Sequence, residues 1–480
     1  MPQFQLPINT APYYNTDQIA NSLAADAMFD CYLEPVPGGP FITRRRPGLI
    51  DFADLNTDAP GDGIFWWDAA QKCIAVSNGK VFDVSSDGTF TDITGDAPLI
   101  GQPVVFADGQ QLDGTPWLYI ASGNLIYSID GADTVAPTDT LTPAATHIDY
   151  INMRFVANMA GTSRMGFTDT NPATGNLEND YWSSTSAPIR NTARGDYLLA
   201  LRTCWEEIYA WGSQGLTVWQ DDGASPFSQI QSAFSELGIE APYSLVRTEN
   251  TLFAVCVLDG KRVVAKMAGR APQIASEPIA RILADMETVS DAIGDLITVG
   301  GMSIYLLSFP TANQTWAYDH KNDTWCRWGQ YVGTSDYRDR FIGQHVCFCK
   351  PWNKHLIMSR VDGKIYELSR SAFDDAGTEM ISYRRTGWVD CGIGSQRKRC
   401  DQFYVEGKPG LTNTPSLMIR SRDNGNNEWS KYKTLAFYKN TVEPMNRQGT
   451  FRTRQWEFRI PSDTDTILVS AYGAFTELKN

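Results

Sequence analysis

His345, Cys347 and Cys349 alternate along one apparent strand, and soft ligands on one face are what a transition-metal site would use. Three ligands on a single straight strand lie too far apart to close on one ion, because alternate side chains are separated by roughly 7 Å, two strand rises. Buried thiols packed as small hydrophobes are therefore expected, and no metal. The four histidines, His147, His320, His345 and His355, contain no pair at the i, i+4 spacing of a helical zinc motif. Gly-Lys occurs at 79/80, 260/261, 363/364 and 407/408, but never with a glycine five residues before the second Gly, so no phosphate-cradling loop is encoded. There is no Gly-x-Ser-x-Gly nucleophile elbow. The sequence assigns no catalytic and no cofactor-binding residue.

The segment Ser421-Arg-Asp-Asn-Gly-Asn-Asn-Glu-Trp429 is similar to the Asp-box of sialidase-type propellers, Ser-x-Asp-x-Gly-x-x-Trp, with one residue too many before the Trp. That box is a structural turn, and a glycosidase carboxylate pair assembles only in space, so a carbohydrate-binding or glycoside-hydrolase propeller acting on host polysaccharide stands as the alternative function. Two basic clusters could dock a partner: Arg44, Arg45 and Arg46, and Arg397, Lys398 and Arg399. Against docking stand ion pairs with the chain's own carboxylates for the first and a solvated strand end for the second.

The elements that would position these residues are hairpins. From Gln314 to Gly329, Trp316 and Tyr318 alternate on one side, Asp319 to Asp323 form a polar turn, and Thr324, Cys326 and Trp328 alternate on the return. Similar pairs flank Asn78-Gly79, Ser122-Gly123, Gly161, Gln214-Gly215, Asp259-Gly260 and Asp362-Gly363. The markers Gly79, Gly123, Gly161, Gly215, Gly260, Asn313 and Gly363 recur at 38 to 54 residues, near the ~40–50 of a propeller blade. The spacing predicts an all-β fold: a degenerate β-propeller of six to eight blades over 49–372, with an extended N-terminal arm over 1–48 and a C-terminal β-sandwich over 373–480. A run of sandwiches is the competing architecture. After Pro278, Ile279, Ile282, Leu283, Met286, Val289 and Ile293 recur at helical spacing and predict a short helical insertion, laid on a blade's outside, on a subunit surface or in the core.

The formal charge of −14 argues against an outer surface that grips nucleic acid, though a negative channel wall would let DNA pass without sticking. Nine scattered cysteines predict reduced thiols in a chain large enough to need no staples. Met1 to Asn9 lacks a basic start and an apolar run, and no window reaches the ~18 apolar residues of a spanning helix. No signal peptide and no membrane insertion are expected.

The order of features resembles the packaged-DNA stabilisation proteins that form the tail nozzle, or hub, of short-tailed bacteriophages. The resemblance rests on Arg46-Pro47-Gly48-Leu49, on Gln273 to Leu283 followed by Ile304 to Leu307 and Trp316-Ala317-Tyr318-Asp319 to Trp325, and on Gln396 to Phe403, Ser416 to Trp429 and Arg452 to Ile460. It implies a virion tail protein without chemistry of its own, made in the host cytoplasm. Usually six copies form a ring below the portal and its adaptor, beside other tail proteins (fibre, spike or needle). The ring prolongs the DNA channel, retains packaged double-stranded DNA and lets it pass at ejection.

Overall fold

In strands with apolar residues at successive positions, both faces must be covered, and the sheets here are stacked so that each covers the next. The computed structural model describes residues 3–478 except 9, 13, 15–26, 37, 38, 40, 98, 100, 131, 132, 138, 185, 186, 189–194, 224–226, 249, 299, 300, 332–337, 393–395, 409–415, 427, 438–443 and 461–465. Tyr13, in the N-terminal arm, lies outside the described residues.

Among the described residues seven blades can be followed, within the expected six to eight. Their inner strands are Gly61–Trp67, Val105–Gln110, Ile148–Ile151, Leu198–Cys204, Gly238–Arg247, Ile293–Ile297 and Gly343–Cys349, for blades 1 to 7. These strands contact one another in order, and the last touches the first, so the ring is closed. Blade 7 takes its fourth strand from the other end of the propeller: Gly48–Asp54 pairs antiparallel with Lys364–Ser369. Closing the circle with a strand from far away in sequence leaves no free end between first and last blade.

The predicted hairpins all pair. Asn78 and Gly79 have φ of 53° and 71°, the left-handed pair of a type I′ turn. The second hairpin turns one residue later than expected, on Gly123-Asn124, since its strands are Pro116–Ser122 and Leu125–Asp130. The hairpin from Gln314 to Gly329 joins the third and fourth strands of blade 6, whereas the other six join second and third strands. Its buried residues divide between two cores: Trp316, Tyr318 and Trp325 face blade 5, and Cys326 and Trp328 face blade 7.

The helical period after Pro278 overstates the helix. A single turn, Glu277–Ile279, leads into the helix Ala280–Asp285, and Met286 leaves helical geometry with ψ of 138°. Val289 is buried from irregular chain and Ile293 begins the inner strand of blade 6, so buried residues beyond the helix continued its spacing by coincidence. The insertion packs in the core between blades 5 and 6, through Ile279, Leu283 and Met286.

The outer strand of blade 6, Thr324–Tyr331, does not end its sheet. Ala27–Phe29 pairs with it in parallel, followed by Ser382–Arg385, Arg454–Ile460, Ser416–Asp423 and Lys433–Ala436. A second sheet runs Cys31–Glu34, Ile42–Arg45, Ile467–Glu477, Lys398–Lys408, with Gln3–Gln5 on the strand Ile467–Glu477. The two layers share one apolar cluster that includes Phe403, Trp456, Phe458 and Phe475. The strands before Gly48 are thus spent inside these layers. All nine cysteines are free and buried, and among the described residues no helix is long and apolar enough to cross a membrane.

Candidate functional site

All seven blades meet at a central cavity of about 260 Å³, lined by Arg202, Arg247, Asp295, His147 and His345 among others. The inner strands place these residues, and carboxylates on them tie adjacent blades together. Asp149 of blade 3 accepts hydrogen bonds from the backbone N–H (2.7 Å) and hydroxyl (2.9 Å) of Thr203 in blade 4. It also lies 3.6 Å from both Arg202 and Arg247. Asp295 of blade 6 accepts from the backbone N–H of His345 (2.8 Å) and Val346 (3.0 Å) in blade 7, where the strand bulges and His345 takes a φ of 56°.

Burial without a countercharge pushes the Asp295 carboxyl up to about 7, the two N–H donors only partly opposing it. Asp149 is equally buried, but Arg202 and Arg247 outweigh desolvation and hold it below its ordinary value. His345 and His147 are pushed down to about 4, chiefly by burial. The axis therefore carries neutral imidazoles and one anchored carboxylate. The carboxyl groups of Asp149 and Asp295 are used to join neighbouring blades.

The first basic cluster lies at the junction of propeller and C-terminal layers. Arg46 is buried and fully occupied: its guanidinium grips Asp375 with two bonds (2.8 and 2.6 Å), donates to Asp30 at 2.6 Å, and lies 4.5 Å from the Phe341 ring centre. Burial alone would lower its pKa, but Asp375 and Asp30 outweigh that and hold it above its ordinary value. Arg45, also buried, donates to the carbonyls of Phe373 (2.9 Å) and Met380 (2.8 Å). Arg44 is half-buried against Glu34 at 2.8 Å. In the second cluster Lys398 is buried, its ammonium donating to the carbonyls of Asp390 and Arg452, both at 2.6 Å. Arg397 and Arg399 are exposed, and Arg399 is paired with Asp401 at 2.5 Å. The reading of both clusters as docking patches is thus corrected for Arg45, Arg46 and Lys398, which are buried with internal partners.

The Asp-box-like segment is a turn with internal partners. Asp423 is bound by Arg454 through two bonds of 2.6 and 2.8 Å, and Trp429 folds back over Arg420 and Arg422 at 4.8 and 4.7 Å. Arg385 and Arg420 share the buried Glu457. This face of alternating guanidinium and aromatic groups was not foreseen, although Arg at 420 and 422 with Trp429 was readable as an i, i+2 pair facing one side of a strand. Nor was Cys73 foreseen as a neighbour of Cys347 and Cys349. The one signal for it is that a closed ring must bring the first blade against the last.

A closed propeller whose axial charges join blades and whose junction arginines join modules has the build of a structural propeller. The chain belongs to the family described as Bacteriophage P22 Gp10, beta-propeller, whose model matches residues 31–372, and it is a phage structural protein. No curated protein matches. Among solved structures, the extracellular domain of a hybrid two-component system from B. thetaiotaomicron is similar at 10% identity and TM-score 0.44, over 84% of this chain and 48% of that one. The chain thus spans about half the length of that relative. The Pan2 WD40 domain of Neurospora crassa is similar at 9% identity and TM-score 0.40, over 68% of this chain and 95% of that one. YCF48 bound to D1 peptide is similar at 13% identity and TM-score 0.39, over 68% and 96%.

Proposed function

We propose that this protein is a tail nozzle or hub component of a short-tailed phage and not an enzyme. Several copies, six by the family resemblance, form a ring under the portal and adaptor that extends the DNA channel, retains packaged DNA and conducts it at ejection. The observation that carries the reading is the family match over residues 31–372.

The cavity on the propeller axis adds a constraint. With about 260 Å³ of space it is too small to hold a duplex, whose major groove alone is ~12 Å wide and ~8.5 Å deep. DNA would therefore pass between copies and not through a propeller. Charge suits such a path: residues 1–372 hold 25 Lys and Arg against 42 Asp and Glu, a net −17, and an acidic wall repels phosphate.

Cryo-electron microscopy of the particle tests this. Six copies around the tail axis, with acidic residues toward the lumen, are the expected result. A single copy at the tail periphery, or a polysaccharide-degrading monomer, would overturn the reading, and a lumen lined by Lys and Arg would remove the charge argument.

A further inference from the structure

Three cysteine sulfurs converge where the propeller ring closes on itself. Cys347 and Cys349 end the inner strand of blade 7, Gly343–Cys349, and Cys73 lies on Lys72–Ser77, the second strand of blade 1. All three are buried and their sulfurs lie within 4.8 Å of one another, with 3.8 Å between Cys347 and Cys349. The objection drawn from the sequence, that ligands on one straight strand stand roughly 7 Å apart, fails here for two reasons. The strand gives way after Cys349 to the turn Lys350–Trp352, where the two side chains lean together, and the third sulfur comes from another blade. His345 plays no part, since it lines the axial cavity.

We propose that Cys73, Cys347 and Cys349 form a three-sulfur site for a soft monovalent cation of the Cu(I) class, fastening blade 1 to blade 7. With metal–sulfur bonds of ~2.3 Å, sulfurs sharing one ion in trigonal geometry are ~4 Å apart, which the observed spacing allows. A structural zinc site requires four ligands, and among the described residues this group supplies three. Thiolate softness and a low coordination number select Cu(I). Each thiol that ligates releases its proton to solvent. An ion bound only by the folded seam stabilises the closed ring.

The test is anaerobic titration of the full chain with Ag(I), a redox-inert stand-in for Cu(I), followed by near-ultraviolet charge-transfer absorbance and thermal melting. Saturation at one equivalent with a rise in Tm is expected in the wild type and in Cys256→Ala, which removes a buried thiol of blade 5. Both effects are expected to vanish in Cys73→Ala that circular dichroism shows to be folded. Wild-type behaviour in that variant, or no break at one equivalent in the wild type, overturns the site. X-ray absorption of the Cu(I)-loaded wild type requires no variant: three sulfur neighbours support the proposal, and nitrogen or oxygen neighbours overturn it.

Discussion

Asp295 and His345 are adjacent at the propeller axis, and burial moves their titrations in opposite senses. Asp295 is held at about 7 against an ordinary 3.8, so the folded chain binds that proton more tightly than the unfolded chain does. Its stabilising contribution is full below about 4 and is lost as pH rises to about 7. Asp62, raised to about 7 by burial, acts in the same sense. His147, His345 and His355, lowered to about 4 from 6.5, bind protons less tightly in the folded chain and add stability as pH rises through that window. Asp295→Asn removes one of these opposing titrations and keeps an acceptor for one of the two backbone donors, the loss of the other bond being a cost independent of pH. The variant is expected to gain stability over the wild type between pH 4 and 7, by at most ~4 kcal/mol, with a constant difference above that. Urea unfolding at pH 4.5, 6 and 8 measures this, and a pH-independent difference would show that Asp295 titrates as an ordinary carboxylate.

Strands and their junctions depend on Arg46, which sits where the closing strand Gly48–Asp54 begins and binds Asp30, Asp375 and the Gly329 carbonyl of blade 6 at once. Arg46→Met would leave two carboxylates buried without their cation, and a loss of about 3–5 kcal/mol is expected. Adding Asp30→Asn and Asp375→Asn should recover part of that loss, because it removes the stranded charges. Guanidinium unfolding of the wild type, the single variant and the triple variant checks both statements, and equal destabilisation by the single and triple variants would show that packing on Phe341 matters more than charge. The hairpins were legible because each is local: Asn78-Gly79 and Asp259-Gly260 fix a turn, and alternation fixes the strands around it. The clasp was not legible, since Arg46 and Asp375 are 329 residues apart and no local pattern links them. The three-sulfur cluster was half legible, with Cys347 and Cys349 visible and Cys73 supplied only by ring closure. The helix was misjudged in length for the converse reason: tertiary burial of Val289 and Ile293 imitated a local period.

At the scale of the whole molecule, charge is divided unevenly along the chain. Residues 373–480 hold 16 Lys and Arg against 13 Asp and Glu, a net +3, while residues 1–372 carry −17. Part of the positive charge is gathered on one sheet face, where Arg385, Arg420, Arg422 and Arg459 stack with Trp429 and Tyr432, and Glu457 is the carboxylate paired with two of them. In the proposed ring, copies would meet head to tail, so two different patches would face each other at every junction, and a cationic C-terminal face against an acidic propeller would satisfy that geometry. Attraction of this kind acts over a Debye length, ~10 Å at 0.1 M salt and ~3 Å at 1 M. Self-association is therefore expected to weaken as NaCl is raised from 0.05 to 0.5 M, and to weaken further in Arg420→Glu/Arg422→Glu at low salt. Sedimentation velocity measures both. A mass distribution unchanged by salt would mean that apolar contacts hold the copies together, and the cationic face would then be free for a partner other than a second copy of this chain.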